Sequence, residues 1–494
     1  MSYTAAIDHL YALGHELAPS TPSIPRRKFD LAHMRVLAAA LGDPQTAFPS
    51  ILIAGTNGKG STAATLSSIL TAAGYRTGLY TSPHLVRVNE RIQIDGQQIP
   101  DEDFAHLYFQ VDETARHLVE SGDLPYPPSF FEVLTAVGFL HFAGESATHA
   151  GKSPVDIAVL EVGLGGRLDA TNIVNPLLSI LTDIALDHQD YLGNTIAEIT
   201  REKAGILRLN GTLITLPQHP EANQAIGEAA ATLNLRAINA AGYIPTNVPG
   251  QTPEISNRTA ETTGRVTTAP LPANHYVLTL DGESLEVNSP LSGHHQQRNI
   301  ALAIAAAAEL RNSNSYKRNE IGQESNQSSY KITNEHIETG IRNTQWPGRL
   351  ELFSFPEGPQ LLLDVAHNPA GAWTLRAAIA QLPEAQPRTL LFSCLRDKDL
   401  NEMGQILFPL FDASSTDPER RKDHIVFAPI DNPRAAHIDD LLAAAHALDI
   451  PAHAAPHLTA ALAQARAVTP PEGLIIATGS VYLVGEIRRL AGEL

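Results

Sequence analysis

One cysteine, Cys394, stands in a chain of 494 residues. An intrachain disulfide is therefore excluded, and the composition suits a reducing compartment. Cys394 lies in the apolar run 389–395, where a thiol reads as a small buried hydrophobe rather than a nucleophile. No apolar stretch is long enough to span a bilayer. Residues 1–10 carry neither the basic nor the apolar segment of an export signal, so the expectation is a cytoplasmic protein without a membrane partner. Positive charge is scarce too. Lys and Arg number 35 against 53 Asp and Glu, a formal net charge of −18, and no basic face is visible, which speaks against nucleic acid. An acidic chain repels anions at long range, so any phosphate site must gather its own cations. Lys59, Arg87, Arg91, Arg349 and Lys398 are the candidates. There is no internal repeat.

What the chain does contain is a phosphate cradle. Residues 55–62, G-T-N-G-K-G-S-T, follow the apolar run 51–54 and open an Ala/Leu-rich helical pattern over 63–73. Strand, glycine turn and helix in that order aim backbone N–H groups and the positive helix end at an anion, and Lys59 adds a mobile cation. The spelling departs from G-x-x-x-x-G-K-[ST], because Gly60 separates Lys59 from Ser61.

Length allows two or three domains. Residues up to about 345 alternate apolar runs with helical patterns, as a parallel sheet does. Expected strands are 51–54, 77–80, 156–162, 177–182 and 212–216. The first four lead into G-T-N-G-K-G-S-T, T-S-P-H-L, G-L-G-G-R-L-D-A-T-N and D-I-A-L-D-H. Ligands gather at the carboxyl ends of strands in open α/β sheets, so these segments are expected to converge. Polar tracts at 240–274 and 312–331 lack periodicity and read as insertions or flexible loops. After T-Q-W-P-G (344–348) the pattern restarts, with strands expected at 361–365, 389–395, 424–428 and 474–478. The expected organisation is α/β throughout: a P-loop parallel-sheet domain over 1–345, then a smaller Rossmann-like domain over 346–494.

Three residues are candidate ligands for a divalent cation: Ser82, Glu161 and His188, each past or near the end of an expected strand. A carboxylate in an apolar strand is costly unless paired or metal-bound. Satisfaction of Glu161 by Arg167 or by backbone donors is the alternative. Magnesium prefers oxygen ligands, so a histidine in the set leaves manganese open beside it.

Nine strings occur in one order: G-T-N-G-K-G-S-T, T-S-P-H-L-V-R-V-N-E-R-I, E-V-G-L-G-G-R-L-D-A-T-N, L-D-H, R-E-K-A-G-I, H-Q-x-x-N, W-P-G-R-L-E, D-V-A-H-N-P and T-G-S-V-Y-L-V-G. Together they resemble the folylpolyglutamate synthase/dihydrofolate synthase family, a branch of the Mur ligase superfamily, from about Phe29 to Gly485 outside the polar tracts.

The resemblance implies an ATP-dependent ligase adding L-glutamate to a folate or dihydropteroate carboxylate through an acyl phosphate. It implies that Asn57, Gly58, Lys59, Gly60 and Ser61 hold ATP, with Asn299, Arg349 and Asp364, and that Ser82, Glu161 and His188 bind magnesium. Lys203 matches a lysine often carbamylated in the superfamily, a plain surface lysine being the alternative. His367 and Ser480 match positions near the incoming glutamate. For the pterin substrate the family pattern points to Asp30, Leu31 and Ala32, to Phe130, Phe131 and Glu132, and to Leu168, Asp169 and Ala170. Phe130 and Phe131 suit stacking on a flat heterocycle or simple core packing. Expected partners are small molecules only (ATP, glutamate, dihydropteroate or reduced folate), with a monomeric enzyme. A bifunctional enzyme is favoured over a folylpolyglutamate synthase alone. A cell-wall Mur ligase would carry a UDP-binding domain before the P-loop, and only about 50 residues precede Gly55, few for a domain. A P-loop nucleotide switch would leave D-V-A-H-N-P unexplained.

Overall fold

The protein is seen here as a computed structural model that describes residues 2–13, 30–145, 153–245, 271, 273–312, 330–383, 385–413 and 422–492. Phe29 and most of both polar tracts, 246–270 and 313–329, lie outside the described residues.

The first sheet has eight strands: β1 (Ser50–Ala54), β2 (Thr77–Tyr80), β3 (Ile92–Ile94), β4 (Gln97–Gln98), β5 (Ile157–Glu161), β6 (Leu178–Leu181), β7 (Thr212–Thr215) and β8 (Arg236–Asn239). Their order is β4-β3-β2-β5-β1-β6-β7-β8. A parallel strand covered on both faces must be apolar throughout, and β1, β2, β5 and β6 are buried along their whole length. β2, β5, β1, β6, β7 and β8 pair parallel in sequence across the sheet. The four strands expected to carry functional loops are therefore neighbours, with their carboxyl ends at one edge.

The antiparallel edge was not expected. β3 pairs antiparallel with β2, and β4 with β3. The β3–β4 hairpin turns on Asp95 and Gly96, both at positive φ (52° and 74°), the geometry that Asp-Gly favours in tight hairpins.

Helices α1 (Tyr3–Ala12), α2 (Leu31–Ala40), α3 (Lys59–Ala72), α4 (Asp101–Ser121), α5 (Phe130–Phe142), α6 (Gln189–Leu192), α7 (Ile196–Ala204) and α8 (Pro220–Thr232) accompany this sheet. Leu52, Tyr80, Phe104, Phe139 and Leu160 belong to the shared core. α3 starts at Lys59 rather than at residue 63, so the Lys-Gly-Ser of the glycine motif forms its first turn.

The tract 240–274 is less patternless than expected. Ala240–Tyr243 form a short 3-10 turn, and β9 (Ala273–Leu280) begins inside it, paired with β10 (Glu283–Ser292). This hairpin also turns on an Asp-Gly pair, Asp281 and Gly282, at φ 52° and 84°. Leu285, Val287, Ser289 and Leu291 are buried in alternation along β10, the period-two signature of a strand with one covered face. Helices α9 (His294–Asn312) and α10 (Asn334–Arg342) follow.

The second sheet contains β11 (Glu351–Phe353), β12 (Gln360–Leu363), β13 (Arg388–Phe392), β14 (His424–Phe427), β15 (His453–Ala454) and β16 (Leu474–Thr478), in the order β11-β12-β16-β13-β14-β15. All its pairings are parallel except the edge strand β11. The short edge strands β11 and β15 escaped the apolar pattern. Helices α11 (Pro369–Ile379), α12 (Leu400–Leu407), α13 (Ile438–His446), α14 (Leu458–Val468) and α15 (Val481–Ala491) surround a core that includes Phe392, Phe408, Phe411 and Phe427. Cys394 is fully buried there, and burial pushes its thiol up to about 12, as expected of a core residue.

The chain divides into two compact units. One comprises Met1–Ile244, Leu278–Leu285 and Arg298–Gln345; the other comprises Pro245–Val277, Glu286–Gln297 and Trp346–Leu494. Among the described residues no helix is long and apolar enough to cross a membrane.

Within the first unit, α10 lies so close on α3 that a Cβ at Gly340 would sit 2.3 Å from Ile69 Cα. Ser68 Oγ donates to the Gly340 carbonyl at 2.7 Å. Backbone cannot move aside as a side chain can, so Gly340→Ala should cost about 1–3 kcal/mol by overpacking. Calorimetry should show a thermal midpoint lowered by a few degrees; an unchanged midpoint would mean the two helices are free to separate.

Candidate active site

The loop between β1 and α3 is held by its acceptors. Lys203, with only 4% of its surface exposed, donates from Nζ to the Gly55 carbonyl at 2.8 Å. Lys59 Nζ donates to Thr56 O at 3.1 Å, and Thr182 Oγ1 to Asn57 O at 2.7 Å. Gly58 O accepts the Thr62 N–H at 3.0 Å, inside the helix. Each carbonyl from Gly55 to Gly58 thus has a donor. The N–H groups of the first helical turn have no intrahelical acceptor. With its carbonyls occupied, the α3 N-terminus presents positive potential without competing negative ends, as an anion requires.

The loop is also stitched to the segment after β6. Thr56 N and Asn57 N both donate to Asp183 O, at 2.8 and 3.1 Å, and Thr56 Oγ1 exchanges hydrogen bonds with the backbone of Ala185. Gly58 adopts φ 85°, and a Cβ there would lie 2.2 Å from Asn299 Oδ1. Glycine is required twice over at this position, for its conformation and for the approach of the buried Asn299 side chain on α9.

Two of the three expected metal ligands come together. Glu161, at the end of β5 and 4% exposed, accepts the Ser82 N–H on Oε2 at 3.2 Å. Arg167, the alternative partner for Glu161, spends its guanidinium on Glu202, with Nη2 2.9 Å from Oε1. His188 lies past β6 in the left-handed conformation (φ 50°), its Nε2 3.9 Å from Asp187 Oδ2. Among the described residues no three His, Cys, Asp or Glu side chains form a metal-ligating group. The contact runs through the Ser82 backbone; a buried carboxylate beside a serine is chemistry that suits an ion drawing its remaining ligands from water and substrate phosphates, as magnesium commonly does.

Several of the residues expected to face the pterin have partners within the protein. Asp30 caps α2, accepting the Ala32 N–H at 2.8 Å; Leu31 and Ala32 form the first turn behind it. Phe130 is 4% exposed in the core, with the Arg91 guanidinium 5.4 Å and the Tyr11 ring 5.7 Å from its own. Phe131 is half-buried, edge-on to Tyr80. Core packing, the second of the two readings left open, describes Phe130. Glu132 forms a capping box with Ser129 and accepts His33 Nδ1 at 2.9 Å. Burial pushes its carboxyl up, but His33 and Ser129 outweigh this and hold it below its ordinary value.

Asp169 is turned inward. Its Oδ2 accepts the N–H groups of Gly163 and Leu164 at 3.0 and 3.1 Å, and its Oδ1 accepts Thr171 N and Oγ1 at 3.0 and 2.6 Å. It latches the loop that leaves β5 just after Glu161, with Leu168 and the buried Ala170 on either side of it. Among the candidate cations, Arg87 pairs with Asp101 at 2.7 Å and Arg91 is buried, its Nε 2.9 Å from His84 Nδ1.

The second unit repeats the strand-end logic. β12 and β16 are parallel neighbours, and D-V-A-H-N-P and T-G-S leave their carboxyl ends, joined by Gly479 N to Ala366 O at 3.0 Å. Asp364 accepts Leu350 N at 3.1 Å and Ala366 N at 2.9 Å. Burial raises its pKa against those donors and the Arg349 charge. Arg349 Nη1 donates to Gly348 O at 3.2 Å, His367 Nδ1 lies 2.8 Å from Val365 O, and Ser480 caps α15.

Sequence reasoning missed His33, His84, Asp183 and Arg298. Asp183 and His84 sit in quoted motifs and Arg298 at an open position of H-Q-x-x-N; His33 announces itself only through partners far away in sequence.

Comparison with known proteins bears on this geometry. Residues 144–307 match the Mur ligase middle domain, and residues 348–481 match the Mur ligase glutamate ligase domain. The chain is 33% identical to the dihydrofolate synthase/folylpolyglutamate synthase of Bacillus subtilis, over 93% of this chain and 94% of that protein. It is 32% identical to the folylpolyglutamate synthase of Lacticaseibacillus casei, over 83% and 84%. The structure of E. coli FolC in complex with DHPP and ADP superposes with a TM-score of 0.73 at 27% identity, covering 100% of this chain and 98% of that one.

Burial pushes the Asp169 carboxyl up to about 6, from an unfolded value near 4. The folded protein keeps this proton where the unfolded chain has released it. The resulting stability is complete below about pH 4 and is lost as pH rises through about 6. Relative to Asp169→Asn, which cannot titrate, the wild type should lose about 3 kcal/mol between pH 4 and 7. Urea unfolding of both proteins across that range measures it. A difference independent of pH would show that Asp169 is already ionised throughout.

Proposed function

The chain belongs to the folylpolyglutamate synthase/dihydrofolate synthase family of the Mur ligases, and from that premise we propose that it joins L-glutamate to two acceptors, dihydropteroate and a reduced folate. It is an ATP-dependent glutamate ligase of folate metabolism; the double specificity and the chemical route are the proposal. ATP use is supported by the β1–α3 loop, with every carbonyl from Gly55 to Gly58 engaged, beside the Ser82–Glu161 pair; two acceptors are supported by the likeness to the dihydrofolate synthase/folylpolyglutamate synthase of Bacillus subtilis.

A carboxylate resists a nucleophile because it is negative and would have to expel oxide. Transfer of the γ-phosphoryl of ATP to it makes an acyl phosphate, whose leaving group is phosphate. The glutamate amine then attacks the acyl carbon, and the tetrahedral adduct collapses to an amide. For the first step the protein supplies position and charge. Gly58, Gly60 and Ser61 direct N–H groups at the phosphates with Asn57 assigned to ATP beside them, Lys59 neutralises charge on the transferring group, and Asn299 borders the same loop. Ser82 and Glu161, joined by His188 in the family pattern, would hold magnesium, which neutralises phosphate charge when bound.

In the second unit Arg349 and Asp364 are assigned to ATP, and His367 and Ser480 to the incoming glutamate. Asp30, Leu31, Ala32 and Phe131 are assigned to the acceptor, with Phe130, Glu132, Leu168, Asp169 and Ala170 shaping its surroundings. Lys203 anchors Gly55. As a carbamate its Nζ would keep one N–H for that bond while adding carboxylate oxygens, and carbon-13 NMR after incubation with labelled bicarbonate would reveal it. The enzyme is taken to act as a cytoplasmic monomer, in keeping with a single, buried cysteine.

Dihydropteroate and tetrahydrofolate offered separately, with ATP, magnesium and glutamate, should each give ADP and a product heavier by one glutamyl residue. Activity with tetrahydrofolate alone would reduce the enzyme to a folylpolyglutamate synthase. Lys59→Ala should lower turnover by at least about a hundredfold in a protein that still folds, its circular-dichroism spectrum unchanged. Near-normal turnover in that variant would overturn the role given to the loop.

A further inference from the structure

Arg298 occupies a position inside H-Q-Q-R-N that the family pattern leaves open, and Asp183 follows β6 just before A-L-D-H. Their side chains meet in a forked pair. Arg298 Nε lies 3.0 Å from Asp183 Oδ2, and Nη2 lies 2.5 Å from Oδ1 and donates to Pro217 O at 3.0 Å. Each partner carries a second attachment one step away. Asp183 receives Thr56 N and Asn57 N on its backbone carbonyl. Arg298 is followed by Asn299, whose Oδ1 occupies the space where a Cβ of Gly58 would be. Asp183, Asn57, Gly58, Asn299 and Arg298 therefore form a closed ring, in which the ion pair fixes the first turns of α9 against the phosphate loop.

The pair is an unpromising source of stability. The two side chains are 31% and 42% exposed, and ion pairs of that exposure contribute little to folding. Its geometry is nonetheless restrictive, because a planar guanidinium gripping a carboxylate with two nitrogens permits a single orientation. A weak but directional link suits setting a neighbour's position better than holding a fold.

We propose that Asp183 and Arg298 are positioning residues for ATP: the forked pair sets where Asn299 presents its amide beside Gly58, and so tunes nucleotide affinity. The inference rests on the assignment of the β1–α3 loop and Asn299 to ATP. Neither residue touches the nucleotide. Both act through Asn299.

A double-mutant cycle tests this with direct ATP titration by calorimetry, which needs neither glutamate nor a folate. Arg298→Ala should weaken ATP binding about tenfold, and Asn299→Ala at least as much. The double variant should be no weaker than Asn299→Ala alone, since Arg298 then has nothing left to position. Arg298→Lys, which keeps the charge but loses the fork, should behave like Arg298→Ala. The Michaelis constant for glutamate should stay within twofold of wild type. Additive losses in the double variant, full affinity in Arg298→Lys, or ATP affinity unchanged while the thermal midpoint falls would each overturn the proposal. A wild-type protein that binds no ATP would instead overturn the reading of the loop itself.

Discussion

A backbone that offers N–H groups to an anion must satisfy its own carbonyls from behind, or their negative ends cancel the field and their burial costs more than the ligand returns. Residues 55–58 meet that demand with four donors of different origin: a lysine from α7, the motif's own lysine, a threonine after β6 and an amide of α3. Three of these come from outside the loop or from its far end. The cradle is thus a property of β1, β6, α3 and α7 together, and a glycine-rich string would not form one without them.

The same dependence explains which parts could be read in the amino-acid sequence. β2 and β16 have the bounds anticipated for them, and the parallel core strands were legible because burial on both faces leaves only apolar residues. The antiparallel additions were not, although Asp95-Gly96 and Asp281-Gly282 announce both hairpins; strands with one open face, short as β3 and β4 or long as β9 and β10, lack the continuous apolar run. Among site residues, Gly58, Lys59 and Glu161 declare themselves by local chemistry. Asp169 and Glu132 could not be assigned this way. Their carboxylates look free in the sequence, yet one closes the loop after β5 and the other caps α5 beside His33. Whether an acidic side chain faces a substrate or a row of backbone N–H groups depends on where the chain turns next, and that turn is set by partners distant in sequence.

The two sheets share one design rule. In each, neighbouring parallel strands deliver their reactive segments to the same edge: β2, β5, β1 and β6 in the first, β12 and β16 in the second. Right-handed crossovers leave little alternative, since every parallel connection starts from that edge. Asp364 and Asp169 illustrate what such positions tolerate. Both are buried carboxylates raised in pKa, and both are satisfied by backbone N–H groups, Asp169 from its own loop and Asp364 from Ala366 and the more distant Leu350.

The close seat of Gly340 on Ile69 carries a consequence for the order of events on the ribosome. The helix that opens at Lys59 is made early, but the segment that covers it, Asn334–Arg342, emerges only after β9, β10 and α9. Until then a nascent chain holds an incomplete nucleotide-binding unit with an apolar helix flank uncovered, and long-range closure of this kind is slow and open to misassociation. Chaperone protection of the growing chain would matter most in that interval.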